Sequence, residues 1–131
     1  MGYTHYWNGT RAFTKHEWAE ITLAANRILA TTRVPLEDRE INDQHINLNG
    51  VGEDGHETFR LTRHPDDFDF CKTARKPYDA VVTAILIAAA RHGKDAIQVS
   101  SDGSPKEWKP GLTLVTAACG RGFVVPASVG E

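Results

Sequence analysis

Cysteine is scarce in this chain. Cys71 and Cys119 stand far apart, and neither has a second cysteine two or three residues away. A zinc knuckle and a thioredoxin-like pair are therefore excluded, and a reducing cytoplasmic setting is expected. Long hydrophobic runs are missing too. The most apolar window, Ala80 to Ala90, falls short of the roughly 20 residues a bilayer span needs and is bounded by charges, so it reads as a buried helix. The opening Gly2-Tyr3-Thr4-His5-Tyr6-Trp7 has no basic region followed by an apolar run, so no secretory leader is expected. Tyr6 stands where a myristoylation signal needs Ser or Thr. No charge of one sign dominates either. Fifteen Lys and Arg against 17 Asp and Glu give a net charge of -2, which argues against a general binder of duplex nucleic acid. The glycines of a Walker loop or a dinucleotide fingerprint are absent, and the six histidines show no His-Glu-x-x-His spacing. No metal and no cofactor are expected.

What remains is 131 residues, 40% of them hydrophobic, enough for one domain with its own core. Tyr3 to Trp7 is rich in β-formers and runs into Asn8-Gly9, a turn signal. A strand there would put Tyr3, His5 and Trp7 on one face and Thr4 and Tyr6 on the other. Thr14-Lys15-His16-Glu17 has the capping-box pattern. Behind it Trp18, Ile21, Ala25, Ile28 and Leu29 recur at helical spacing, which predicts a helix near 15–32. Leu36 to Gln44 is charged and aperiodic and reads as a surface connection. His45–Asn49 and His56–Arg63 alternate around a glycine-rich loop, which predicts a hairpin.

The stretch Phe68 to Gly93 organises the rest. A short strand leads into the basic turn Lys72-Thr73-Ala74-Arg75-Lys76, and Pro77-Tyr78-Asp79 opens a helix near 77–92. Ile97–Ser101 then reads as a strand, so 68–101 is expected to be a strand-helix-strand crossover. Leu112–Val115 fits either an edge strand or a last helix, and about 120–131 is expected to be an irregular tail. The fold class that follows is α+β, a mixed, mostly antiparallel sheet carrying two main helices. The helix Ala80–Ala90 is apolar nearly all round, so it is buried under a sheet and a second helix or lies at a subunit interface. The second case motivates an expected homo-oligomer.

Three groups of residues suggest binding. Lys72, Arg75 and Lys76, flanked by Thr73 and Tyr78, sit where a helix start leaves backbone N–H groups unpaired, which describes an anion site. The plain alternative is a solvated loop. Tyr3, His5 and Tyr6 could stack on a base or bond a phosphate; their plain alternative is a core aromatic strand. Ser101 and Asp102 fall at a strand end, where ligands of α/β sheets gather, or form an ordinary Asp-Gly turn. Cys71 beside Lys72 could have a lowered thiol pKa but more often would be core. A functional reading requires Arg75, Ser101 and the Tyr3–Tyr6 strand to lie together.

The segments Gly2-Tyr3-Thr4-His5-Tyr6-Trp7, Phe70-Cys71-Lys72-Thr73-Ala74-Arg75-Lys76-Pro77-Tyr78-Asp79 and Ser100-Ser101-Asp102-Gly103 resemble those of a group of small uncharacterised proteins of tailed bacteriophages and bacteria. The resemblance runs as far as Trp108. It implies a phage or prophage setting and residence in the host cytoplasm, where small phage proteins often act in counter-defence, some by sequestering host nucleotide signals. The resulting expectation is non-enzymatic binding of a small phosphate-containing, nucleotide-like ligand. One alternative is a phosphoester hydrolase or transferase using His5 or Asp79 as acid or base. The other is a host-protein interaction module.

Overall fold

In the computed structural model, which describes residues 2–65 and 67–130, the aromatic opening segment is the middle strand of a sheet. This strand, β1 (Thr4–Gly9), pairs antiparallel with β5 (Asp69–Lys72) on one side and with β6 (Ile97–Ser101) on the other. β5 and β6 therefore run in the same direction with β1 between them. His5 lies opposite Cys71 on one flank and opposite Ser101 on the other. The alternation expected from the sequence is present: Tyr3, His5 and Trp7 face the core, and Tyr6 faces outward.

A second three-stranded sheet is formed by β2 (Leu36–Ile41), β3 (His45–Gly50) and β4 (Phe59–Thr62), in that order and antiparallel throughout. The fold class is α+β, with two small sheets where one mixed sheet was expected. The expected hairpin is β3–β4. Leu36–Ile41, read from sequence as a surface connection, is instead an edge strand. Its charged side chains stay in solvent and its register breaks at a bulge between Glu37 and Glu40, so backbone pairing with β3 holds it and no side-chain period reveals it. Trp7 and Phe59 meet edge to face at 5.5 Å and join the cores of the two sheets.

Helix α1 (Lys15–Thr31) starts at the capping box read from sequence: the Glu17 amide donates to Thr14 Oγ1 at 3.1 Å, and the Thr14 amide donates to Glu17 Oε1 at 2.9 Å. Its stripe Trp18, Ile21, Ala25 and Ile28 is buried. Helix α2 (Asp79–Gly93) lies between α1, α3 (Lys109–Cys119) and β6, and Val81 through Ala89 are buried within the one chain. Each such Leu or Ile side chain contributes about 1.5–3 kcal/mol of burial. Because this chain supplies the cover, the apolar character of α2 gives no argument for a second copy.

α3 resolves the ambiguity at Leu112–Val115 in favour of a helix, with Pro110 in its first turn. It approaches α2 closely at Gly111, where a Cβ would stand 2.0 Å from Thr83 Oγ1. Residues 120–130 form neither helix nor strand. They are nevertheless tied down: Val129 is buried, the Ser128 hydroxyl donates to the Val99 carbonyl, and Arg91 donates to the Gly122 carbonyl. No helix among the described residues is long and apolar enough to cross a membrane.

Candidate functional site

The basic turn that follows β5 is held in an unusual backbone shape. Ala74 and Arg75 both have left-handed φ angles, 53° and 57°. That conformation costs a residue bearing a Cβ on the order of 1 kcal/mol. The amides of Thr73 and Ala74 both donate to the Tyr3 carbonyl, at 3.1 and 3.2 Å, and the Lys76 amide closes the turn on the Thr73 carbonyl at 3.0 Å. These bonds fix the turn to the start of β1. They carry the Arg75 guanidinium over the Tyr3 ring, 4.1 Å from its centroid.

Arg75 Nε also donates to Glu107 Oε2 at 3.1 Å. Glu107 in turn closes the turn ahead of α3, accepting the Ser104 amide at 3.2 Å while its own amide donates to Ser104 Oγ at 3.3 Å. The Ser104 amide and Arg75 hold the Glu107 carboxyl below its usual range. Tyr3, Arg75, Lys76, Pro77, Asp79, Ala80, Glu107 and Pro110 line an open depression of about 290 Å³ beside the start of α2. Burial, then the Asp79 charge, pushes the Tyr3 hydroxyl up to about 12, so it stays protonated.

Beneath the depression runs a chain of buried polar groups. Asp79, the first residue of α2, turns its carboxylate inward: Oδ1 accepts from Thr73 Oγ1 at 2.5 Å and lies 2.6 Å from His5 Nε2. Ser101 Oγ lies 2.7 Å from His5 Nδ1 and accepts from Trp108 Nε1 at 3.0 Å and from the Gly103 amide at 2.8 Å. Two donors fill the hydroxyl's lone pairs, so its own proton goes to His5 Nδ1. The imidazole therefore accepts at Nδ1 and donates from Nε2 to Asp79. His5 is fully buried, whereas the Asp79 side chain keeps 16% exposure toward the depression. The His5 ring packs edge-on between Tyr3 and Trp108, at 5.1 and 5.0 Å.

Arg75, Ser101 and the opening strand are thus brought together. The ten residues singled out from sequence separate into four places. Tyr3, Arg75 and Lys76 border the depression; His5, Thr73 and Ser101 form the buried chain below it. Tyr6 and Asp102 lie at the outer sheet face, where the Tyr6 hydroxyl donates to Asp102 Oδ1 at 3.1 Å and the Thr4 amide donates to Oδ2 at 3.0 Å. Lys72 is also on that face, opposite Thr4. Tyr78 is core: its hydroxyl donates to the Glu57 carbonyl at 2.5 Å, and burial raises its pKa. Cys71 is core as well, its thiol pushed up to about 12 by burial, which removes the thiolate a nucleophile needs.

Sequence reasoning passed over Glu107 and Pro110. A signal for the first was present, since Ser104-x-x-Glu107 repeats the pattern that located α1. No protein-family model matches the chain, and no curated protein or solved structure matches it either.

Proposed function

We propose that the protein binds a small phosphate-bearing, nucleotide-like ligand at the depression beside the start of α2, without turning it over. The observation that carries this reading is the state of Arg75. Its guanidinium is pinned on Tyr3 and uses only Nε toward Glu107, while its two terminal nitrogens have no partner among the described residues. Lys76 and the first turn of α2 stand beside it. A phosphate would take the free edge of the guanidinium bidentately. The Arg75–Glu107 pair is exposed enough, at 61% and 39%, to contribute little, so a doubly charged phosphate can displace Glu107. The Asp79 charge is already engaged by His5 and Thr73. Tyr3 is covered by Arg75, so the rest of the ligand would lie on the apolar floor of Pro77, Ala80 and Pro110. In the phage setting that the motif resemblance implies, such a protein would act by sequestration in the host cytoplasm.

Calorimetric titration with a panel of mono- and dinucleotides tests the reading. At least one member should bind, and Arg75→Ala should weaken it by about 10- to 100-fold, the loss expected for charge-assisted hydrogen bonds. A silent panel, or wild-type affinity in Arg75→Ala, refutes it. A second reading, acid–base turnover of a phosphoester, is favoured by the one carboxylate that opens to the depression while resting on a buried imidazole. Chromatography of the incubated nucleotide separates the two. Intact recovery supports binding alone, and cleavage that disappears in Asp79→Asn replaces it with catalysis.

A further inference from the structure

On another face of the molecule, cations from three separate segments share one groove. Arg27 of α1, Arg91 and His92 at the end of α2, and Arg121 of the C-terminal segment line a depression of about 190 Å³ together with Glu20, Leu23, Cys119 and Phe123. A neighbouring depression of about 510 Å³ continues it past His16 and Lys94 and shares Glu20, Arg91 and His92 with the first. The helix macrodipole accounts for cations at the end of α2. It does not account for Arg27 or Arg121, which arrive from other elements.

Carboxylates are few here. Glu17 at the margin is claimed by Arg11, at 2.8 and 3.0 Å, which leaves Glu20 against Arg27, Arg91, Lys94 and Arg121. Among the described residues, none of those four cations forms an ion pair. In a chain of net charge -2, this concentration of one sign is a local field suited to an anion with several charges. The groove also offers surfaces for planar groups. Arg91 stacks on Phe123 at 4.9 Å, His92 meets the same ring edge-on at 5.9 Å, and Leu23 is half exposed.

We propose that this groove binds the phosphate backbone of single-stranded nucleic acid, with Arg27, Arg91 and Arg121 on successive phosphates and the bases against Leu23 and the outer face of the Arg91 guanidinium stacked on Phe123. Basic tracks with interleaved aromatic and apolar surface are how single strands are held without sequence readout. The balance of charge over the whole chain speaks against a broad duplex face and not against a narrow track.

The test is fluorescence anisotropy with a labelled oligothymidylate of about 15 nucleotides, long enough to cover a site of the usual size, titrated across a salt series. Binding should weaken with salt at a log–log slope of about -2 to -3, because each phosphate contact on a single strand contributes about 0.7. Arg27→Gln/Arg121→Gln should flatten that slope by about 1.4 and lower affinity by at least about tenfold at low salt. Both side chains are exposed, so the fold should be retained, and circular dichroism checks it. Arg75→Ala should bind the oligonucleotide as wild type does, which keeps this site distinct from the depression beside α2. Absence of binding at low salt, or an unchanged slope in the double variant, overturns the proposal.

Discussion

Replacing Ser101 by Ala removes one oxygen and disconnects three groups. Trp108 Nε1 and the Gly103 amide lose their acceptor, and His5 Nδ1 loses its donor. Trp108 and His5 have no exposure, so water does not reach them without opening the packing of Tyr3, His5 and Trp108. A buried polar group left without a partner costs about 1–3 kcal/mol. Losses at adjoining groups do not simply add, which sets the expected destabilisation at about 2–4 kcal/mol. Against a typical total of about 5–15 kcal/mol this is a large share. Ser100→Ala is the internal control. That residue is exposed on the outer face of the same strand, and its loss should stay within about 0.5 kcal/mol. Urea unfolding of the three proteins reads the difference as a shift in midpoint at constant slope. If Ser101→Ala unfolds together with Ser100→Ala, the hydroxyl is not the junction of the buried chain, and the donor and acceptor roles assigned to His5 fail with it.

Two further predictions concern the frame that holds the site. Gly111→Ala sets the helix preference for alanine, about 0.5–1 kcal/mol, against a Cβ placed 2.8 Å from Thr83 Cβ and 3.0 Å from the Ala84 amide. Those atoms belong to a buried helix and cannot swing aside, so overpacking should win by about 1–3 kcal/mol; a variant as stable as wild type would show that α3 does not need this approach. For Glu17, Arg11 and the Thr14 amide hold the carboxyl down at about 2 from an ordinary value of 4.5. A depressed carboxylate contributes stability that is present above its unfolded value and is lost as pH falls from about 4.5 toward about 2. The partners lie at the surface, so solvent screening limits the contribution to under about 1 kcal/mol. Urea midpoints at about pH 6, above that window, and at about pH 3, inside it, should fall less in Glu17→Gln than in wild type.

The parts of this molecule legible in the sequence are those in which a side-chain pattern and the final packing state the same fact. Thr14 and Glu17 located α1 because the cap that starts the helix is itself a pairing of side chains. The two faces of β1 were legible because a strand between two neighbours must send alternate side chains to opposite sides. β2 escaped because an edge strand needs only its backbone, and charges along it oppose further pairing without any period. The site was half legible for a related reason. Lys72, Arg75 and Lys76 looked alike as a run of cations, yet two consecutive left-handed residues at Ala74 and Arg75 direct Arg75 onto Tyr3, while Lys72 belongs to the outer sheet face. Nothing in a one-dimensional charge count separates them.

The buried chain was the least visible part, because His5, Thr73, Asp79, Ser101 and Trp108 come from five places along the sequence and meet only when α2 docks across β1 and β6. That docking gives the chain its structural meaning. Asp79 turns away from solvent to answer His5, so the first turn of α2 does not present that carboxylate outward as its main feature. The positive end of the helix, Lys76 and the open edge of Arg75 then face the same space. If the proposed site is right, removing the imidazole leaves the Asp79 carboxylate held by Thr73 Oγ1 alone, and anion affinity read by calorimetric titration should fall even though His5 touches no solvent.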